Sequence, residues 1–202
     1  MLQYLVGFLA LFGYGQYNFS THSSNEALEQ AASYARYMVQ NGLYGVFATN
    51  YAKNSTYAYA SQEDFAESYE DNGYPIFLLA DISSTANNLL LNSYGSFAIS
   101  MTNCTMQNYN GMPYDPLACP RLTLMGKFTK QPGPLNMTDP NLLAFIDKHP
   151  ASSSWIQSGV HQFDLWTFEF DRIYYIGGYG NLHFIGDIPL DTYLNSRPIC
   201  PP

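Results

Sequence analysis

Charge is scarce in this sequence. Asp, Glu, Lys and Arg together reach 12% of 202 residues, against roughly a quarter in an average soluble protein. Of the charges present, 8 are basic and 16 acidic, for a net charge of −8. The cations (Arg36, Lys53, Arg121, Lys127, Lys130, Lys148, Arg172 and Arg197) are scattered. Without a basic cluster there is no footprint for a phosphate backbone or an anionic bilayer, which excludes nucleic acid and anionic membranes as partners. Little charge does not mean disorder here, because 47% of residues are apolar and 16% aromatic. That supply, over a length typical of one domain, is enough to build a core.

Signatures of catalysis are missing too. No CxxC occurs, so neither a zinc ribbon nor a thioredoxin-type site is supported. There is no GxSxG elbow, and Ser152, Ser153 and Ser154 read as a polar loop between a helix and a strand. His22, His149, His161 and His183 stand apart, with no HExxH or other local ligand spacing, so no metal site is expected. His149 suits the C-terminal end of a helix, where a cation complements the helix dipole. Glu63, Asp64, Glu67, Glu70 and Asp71 lack the alternating Asp/Asn ligands and central glycine of a calcium loop and read as a solvated acidic loop. No apolar run approaches the roughly 20 residues that span a bilayer.

What is present begins at the N-terminus. Residues 5–12 form a short apolar run, and Gly13 and Gly15 occupy the −3 and −1 positions of a cleavage site, so residues 1–15 read as a signal peptide, although no Lys or Arg precedes the run. The alternative is a buried N-terminal strand. With cleavage, the mature chain starts near Gln16 as a single domain, 16–202. Four acceptor sequons follow, at Asn18, Asn54, Asn103 and Asn136, each needing a solvent-facing position to carry a glycan. Cys104 and Cys119 flank a segment with Gly111, Pro113 and Pro116 that would bring the sulfurs together, and closing such a loop stabilises by roughly 3 kcal/mol. Cys200 is then a free thiol or half of an intermolecular bridge. If the N-terminus is retained, all three cysteines are expected to be reduced.

Local patterns supply the elements. Ser23 and Glu26 form a capping box ahead of Leu28, Ala31, Ala32, Ala35, Met38 and Val39 at helical spacing, ending near Asn41 and Gly42. Residues 43–49 and 74–80 read as strands, and 50–72 as a loop holding one weak strand. Ser83 or Ser84 caps a short helix to Leu91. Residues 95–103 and 121–130 are strands, and Asp139 with Pro140 opens a helix ending at Lys148, stopped by Pro150. Residues 161–170, 172–179 and 181–186 read as three consecutive strands. The aromatics Phe163, Trp166, Phe168, Phe170, Tyr174 and Tyr175 read as core and dimer interface. About seven strands with three helices predict a mainly β fold of the α+β type, an antiparallel barrel or sheet with helices packed outside.

The order of these elements, with the phrases Gly73-Tyr74-Pro75-Ile76-Phe77, Thr102-Asn103-Cys104 through Asp115-Pro116-Leu117-Ala118-Cys119, His149-Pro150 with Trp155, and Ile188-Pro189 before Tyr193-Leu194, resembles the CREG family. The similarity spans a core of about residues 26–195. Its Gly177-Gly178-Tyr179-Gly180 turn is closer to flavin- and haem-utilisation relatives than to the Gly-Gly of animal members. The resemblance implies a secreted or endolysosomal, N-glycosylated, non-enzymatic homodimer on an antiparallel split β-barrel of the FMN-binding type. It also implies a role in growth and differentiation control, and a glycan-reading sorting receptor as partner. The alternative it leaves open is an FMN-dependent oxidoreductase of the pyridoxamine phosphate oxidase-like fold. A flavin phosphate needs charge-assisted donors, yet no Lys or Arg lies between Lys53 and Arg121. Only Ser83, Ser84 and Thr85, at a helix start, offer a phosphate cradle in that region. No cofactor and no catalytic residue are therefore expected.

Overall fold

The computed structural model describes residues 25–101, 116–178 and 183–201. Residues 1–15, Asn18, His22, Ser23, Asn103, Cys104, Tyr179 and Gly180 lie outside the described residues. The elements run α1 (Asn25–Asn41), β1 (Tyr44–Asn50), β2 (Ala58–Asp64), β3 (Ala66–Glu67), β4 (Pro75–Ala80), α2 (Ser84–Leu91), β5 (Tyr94–Ser100), β6 (Arg121–Lys130), α3 (Pro140–Lys148), α4 (Ser152–Ser158), β7 (Phe163–Ile176), β8 (Ile185–Asp187) and α5 (Leu190–Asn195). The strands make one curled sheet in the order β2-β1-β5-β6-β7-β4-β3, with β8 added along the end of β7. Every pairing is antiparallel.

Alternation explains the inner face. β1 reads exposed-buried without a break, with Gly45, Phe47 and Thr49 inward. Inward residues of six segments are phenylalanines: Phe47, Phe65, Phe77, Phe97, Phe128 and Phe168 are each 0–1% exposed. Their rings meet in one cluster, Phe47 lying 4.6 Å from Phe77, 5.0 Å from Phe97 and 4.8 Å from Phe128. Phe128 and Phe168 stack at 3.9 Å. Edge-to-face and offset pairs of this kind add about 0.5–1.5 kcal/mol beyond area burial. The barrel interior is thereby filled with side chains. Along α1, Ala31, Ala32, Ala35, Met38 and Val39 pack against that cluster, the alanines letting the helix approach closely.

β4 is buried on both faces, which accounts for its unbroken apolar sequence. Ile76 and Leu78 turn away from the phenylalanines and pack with Leu165 against Leu142 and Phe145 of α3. The cap of α3 is as the sequence predicts, Asp139 accepting from the amides of Asn141 and Leu142 with Pro140 at the first turn.

Four expectations are corrected. Residues 50–72 hold two strands, β2 and β3, because β2 pairs with β1 over seven residues despite its polar composition. Ser152, Ser153 and Ser154 begin helix α4 rather than a loop, their hydroxyls bonding the carbonyls of His149, Pro150 and Ala151. A further short helix, α5, follows Pro189, giving five α-helices among the described residues. What reads as separate strands at 161–170 and 172–179 is one strand, β7, of 14 residues. Opposite β6, the register steps from Met125↔Arg172 to Gly126↔Phe170, leaving Asp171 unpaired. This bulge changes which parity faces inward: Trp166, Phe168 and Phe170 before it, Ile173 and Tyr175 after it, are all buried. The aromatic stripe is therefore mostly core, but Tyr174 is 38% exposed.

Gly126 makes the bulge fit, since a Cβ there would run into the backbone of Glu169 and Phe170. Gly126→Ala is expected to lower stability by about 1–3 kcal/mol as overpacking, and Phe128→Ala by about 3–5 kcal/mol as a core deletion. Urea unfolding of the two variants beside the parent chain measures both.

Candidate functional site

The predicted phosphate cradle is already engaged. The Ser83 hydroxyl caps α2 by accepting from the Ala86 amide at 2.9 Å. Thr85 is fully buried, and its hydroxyl donates to Glu63 Oε1 at 2.7 Å, an oxygen that also accepts from Ser61 at 3.2 Å. Only Ser84 remains exposed. A carboxylate thus stands where a phosphate would need a cation. Asn88, one turn further, is buried and bonds Thr49 at 2.9 Å and the Ala52 amide at 2.7 Å, fixing α2 to β1 and its following turn.

A concavity of about 830 Å³ lies elsewhere, on the outer side of β4, β6 and β7. Its floor includes Lys127, Thr167 and Glu169, and its wall is the turn joining β3 to β4, which contributes Ser68, Glu70, Asn72 and Tyr74. Asp171, pushed outward by the bulge, lines the same cleft. Three carboxylates, Glu70, Glu169 and Asp171, accompany one lysine, so the cleft repels an anionic ligand.

The turn is held from behind by a buried polar node that the sequence reading missed. Arg36 is 4% exposed and lies 3.2 Å from Glu67 Oε1. It also donates to the Asp71 carbonyl at 2.9 Å. The same Glu67 oxygen accepts the Gly73 amide at 2.6 Å, and Tyr193 of α5 donates to the Gly73 carbonyl at 2.8 Å. Gly73 has φ +86° and packs against the Arg36 guanidinium and the Tyr193 ring, a combination closed to other residues. Asp71, also at positive φ (51°), is held by Gln40 at 3.2 Å. A signal existed in the sequence: Arg36 sits four residues after Ala32 and three before Val39, inside the apolar stripe of α1, and a cation there requires an acidic partner.

Burial raises the Glu67 pKa to about 7, against the opposing pull of Arg36. Lys148, which donates to the Gln40 carbonyl at 2.8 Å, is lowered by burial to about 8. His149 caps α3, and its Nε2 donates to the Phe65 carbonyl at 2.8 Å, so the ring ties α3 to the turn between β2 and β3. His161 is exposed and His183 half-buried. Among the described residues no group of three metal-ligating side chains occurs, and no helix is long and apolar enough to cross a membrane. Asn54 and Asn136 are exposed on turns. In each the Asn Oδ1 accepts from the amide and hydroxyl of the threonine two residues on, at 3.1 and 2.7 Å for Asn54 and 3.0 and 2.8 Å for Asn136. Cys119 is fully buried, and Cys200 is a free, exposed thiol.

A curled antiparallel sheet with a filled interior and helices at its rim is shared with known proteins. The family model described as "CREG, beta-barrel" matches residues 26–195. This chain belongs to the CREG β-barrel family. No curated protein matches it by sequence. Among solved structures, a haem-binding protein from Mycobacterium smegmatis superposes with a TM-score of 0.66 at 23% identity, over 83% of this chain and 61% of that one. ChuZ from Campylobacter jejuni gives 0.59 at 13% identity, over 84% and 62%. A Clostridium acetobutylicum protein of the pyridoxine phosphate oxidase family, related to a general stress protein, gives 0.55 at 12% identity, over 82% and 98%. The CREG-family chain thus spans about three-fifths of the first two, and at these identities the likeness is one of fold: a split β-barrel.

The buried node has a measurable pH signature. A carboxyl whose folded pKa is raised stabilises the native state below its unfolded value of 4.5, and that contribution is lost as pH rises through about 7. Lys148 adds no slope in this window, because it is protonated in both states well below its folded value of about 8. The melting temperature of the parent chain is expected to fall between pH 4.5 and 7 more steeply than that of Glu67→Gln, as followed by circular dichroism. Parallel curves for the two proteins would contradict the assignment.

Proposed function

We propose that this CREG-family protein is a secreted or endolysosomal, N-glycosylated homodimer without enzymatic activity. It works by presenting surfaces to partners, a glycan-reading sorting receptor among them, in the control of growth or differentiation. The observation that carries the non-enzymatic reading is the cradle at Ser83, Ser84 and Thr85. Ser83 is engaged by its own helix, and Thr85 is buried against a carboxylate. An FMN phosphate does not fit that environment, since it needs cationic or free amide donors.

Three further features support the reading. Asn54 and Asn136 are exposed on turns, where a glycan meets no steric obstacle. The outward face of β1, β5 and β6 is poor in charge, with Tyr44 46%, Val46 41% and Tyr94 64% exposed. Beside them lie Ala48, Ser96, Ala98, Thr123 and Met125, a smooth surface suited to pairing with a second copy. The stability conferred by Glu67 grows toward acid pH, as an endolysosomal lumen would require. Buried Cys119 pairs with Cys104 in this proposal, leaving Cys200 as the free thiol.

The competing reading, an FMN-dependent oxidoreductase, has one feature in its favour: the cleft of about 830 Å³ falls in the size range of cofactor sites. Its acidic lining counts against a phosphorylated occupant. Protein from a secretory host separates the two. It is expected to be colourless, to elute at twice the monomer mass, and to lose one glycan step on gels for each of Asn54→Gln and Asn136→Gln. A non-reducing peptide map is expected to recover Cys104 joined to Cys119. Near-stoichiometric flavin absorbance would falsify the non-enzymatic reading, and free thiols at Cys104 and Cys119 would remove the support for an oxidising compartment.

A further inference from the structure

A second recess, of about 250 Å³, lies between α1, the entry to β6, the segment joining β7 to β8, and the C-terminal tail. It is separate from the acidic cleft. Tyr175 lines it, is 1% exposed, and its hydroxyl has no hydrogen-bond partner. A buried hydroxyl left unpaired costs about 1–3 kcal/mol, so native structures seldom keep one without a ligand or water to satisfy it. Burial raises the Tyr175 pKa, with Tyr34 beside it adding to the rise. The phenol therefore stays a donor.

The surroundings define what the donor meets. Gln30, Tyr34 and His183 are the other polar groups in the described lining, which holds no carboxylate, lysine or arginine. Burial lowers the His183 pKa, so its ring is uncharged at neutral pH. An ion would enter without a counter-charge, at the cost of desolvation. Pro120, Phe184 and Pro201 supply flat apolar walls, which suit the face of a planar ring. The volume lies just under the roughly 300–1,000 Å³ of sites for drug-sized molecules.

We propose that this recess binds an uncharged, single-ring aromatic molecule bearing a hydrogen-bond acceptor, seated with the acceptor on the Tyr175 hydroxyl. The site rests on no assumption about flavin, glycans or the dimer.

Saturation-transfer NMR on the full chain tests it with three probes. Benzamide carries ring and neutral acceptor, toluene the ring alone, and benzoate the ring with a charge. Benzamide is expected to bind saturably, and toluene and benzoate about tenfold more weakly, the scale of one hydrogen bond. Tyr175→Phe is expected to weaken benzamide about tenfold while leaving toluene unchanged. Ala27→Leu, which fills the recess from α1, is expected to abolish both signals. Without probe, Tyr175→Phe is expected to melt no lower than the parent, because the lost hydroxyl had no partner. Absent benzamide saturation, equal binding of toluene, indifference to Tyr175→Phe, or a lowered melting temperature or failure to fold of that variant would each overturn the proposal. The last would mean that the hydroxyl is already bonded.

Discussion

The aromatic filling of the barrel is the constraint from which the rest of the structure follows. Six phenylalanines, each essentially buried, occupy the volume that a wider or emptier barrel would offer to a ligand. Their mutual contacts, from 3.9 Å for Phe128 and Phe168 to 6.5 Å for Phe77 and Phe168, fill the interior among the described residues, because close-packed cores tolerate few voids larger than a water. One recess lies on the outer side of β4, β6 and β7, and the other between α1 and the C-terminal tail, where the inward-facing Tyr175 lines it.

A second, polar constraint shapes the wall of the larger cleft. Arg36 reaches from α1 to Glu67 on β3, and the Gly73 amide and Tyr193 complete the node. Removing any one partner would strand a buried charge or donor, which is costlier than the net worth of the pair. The turn from Ser68 to Tyr74 is therefore held by groups behind it as well as by bonds within it, where Asn72 donates to the Glu70 carboxylate at 2.9 Å. The node also couples the turn to pH, since the burial that orders it raises the proton affinity of Glu67.

Much of the fold was legible in sequence because its signals are local. The alternation in β1, the two-sided apolar run of β4 and the Asp139-Pro140 start of α3 each depend on neighbours within a few residues. The candidate cradle was legible only as a position. Its hydroxyls looked free until Glu63, 22 residues before Thr85, was found bonded to one of them. β2 was hard to see because its polar residues lie at a sheet edge, where strand formation depends on pairing with β1 and not on composition. The bulge at Asp171 was hidden for a related reason. An inserted residue reverses parity without leaving a compositional trace on its own strand, and the glycine that permits it, Gly126, sits on the opposite strand.

The sequence by itself determined the poverty of charge, the gap in basic residues between Lys53 and Arg121, the order of α1, β1, β4, α2, β5, β6 and α3, and the family. These are properties of composition and short-range pattern, which survive without coordinates. Tertiary structure alone decided which polar groups are engaged and which are left over. It joined Thr85 to Glu63, buried Arg36 against Glu67, and left the Tyr175 hydroxyl with no partner at the edge of a recess. Hydrogen-bond satisfaction is a relation between residues far apart in the chain, so no reading of one segment could supply it.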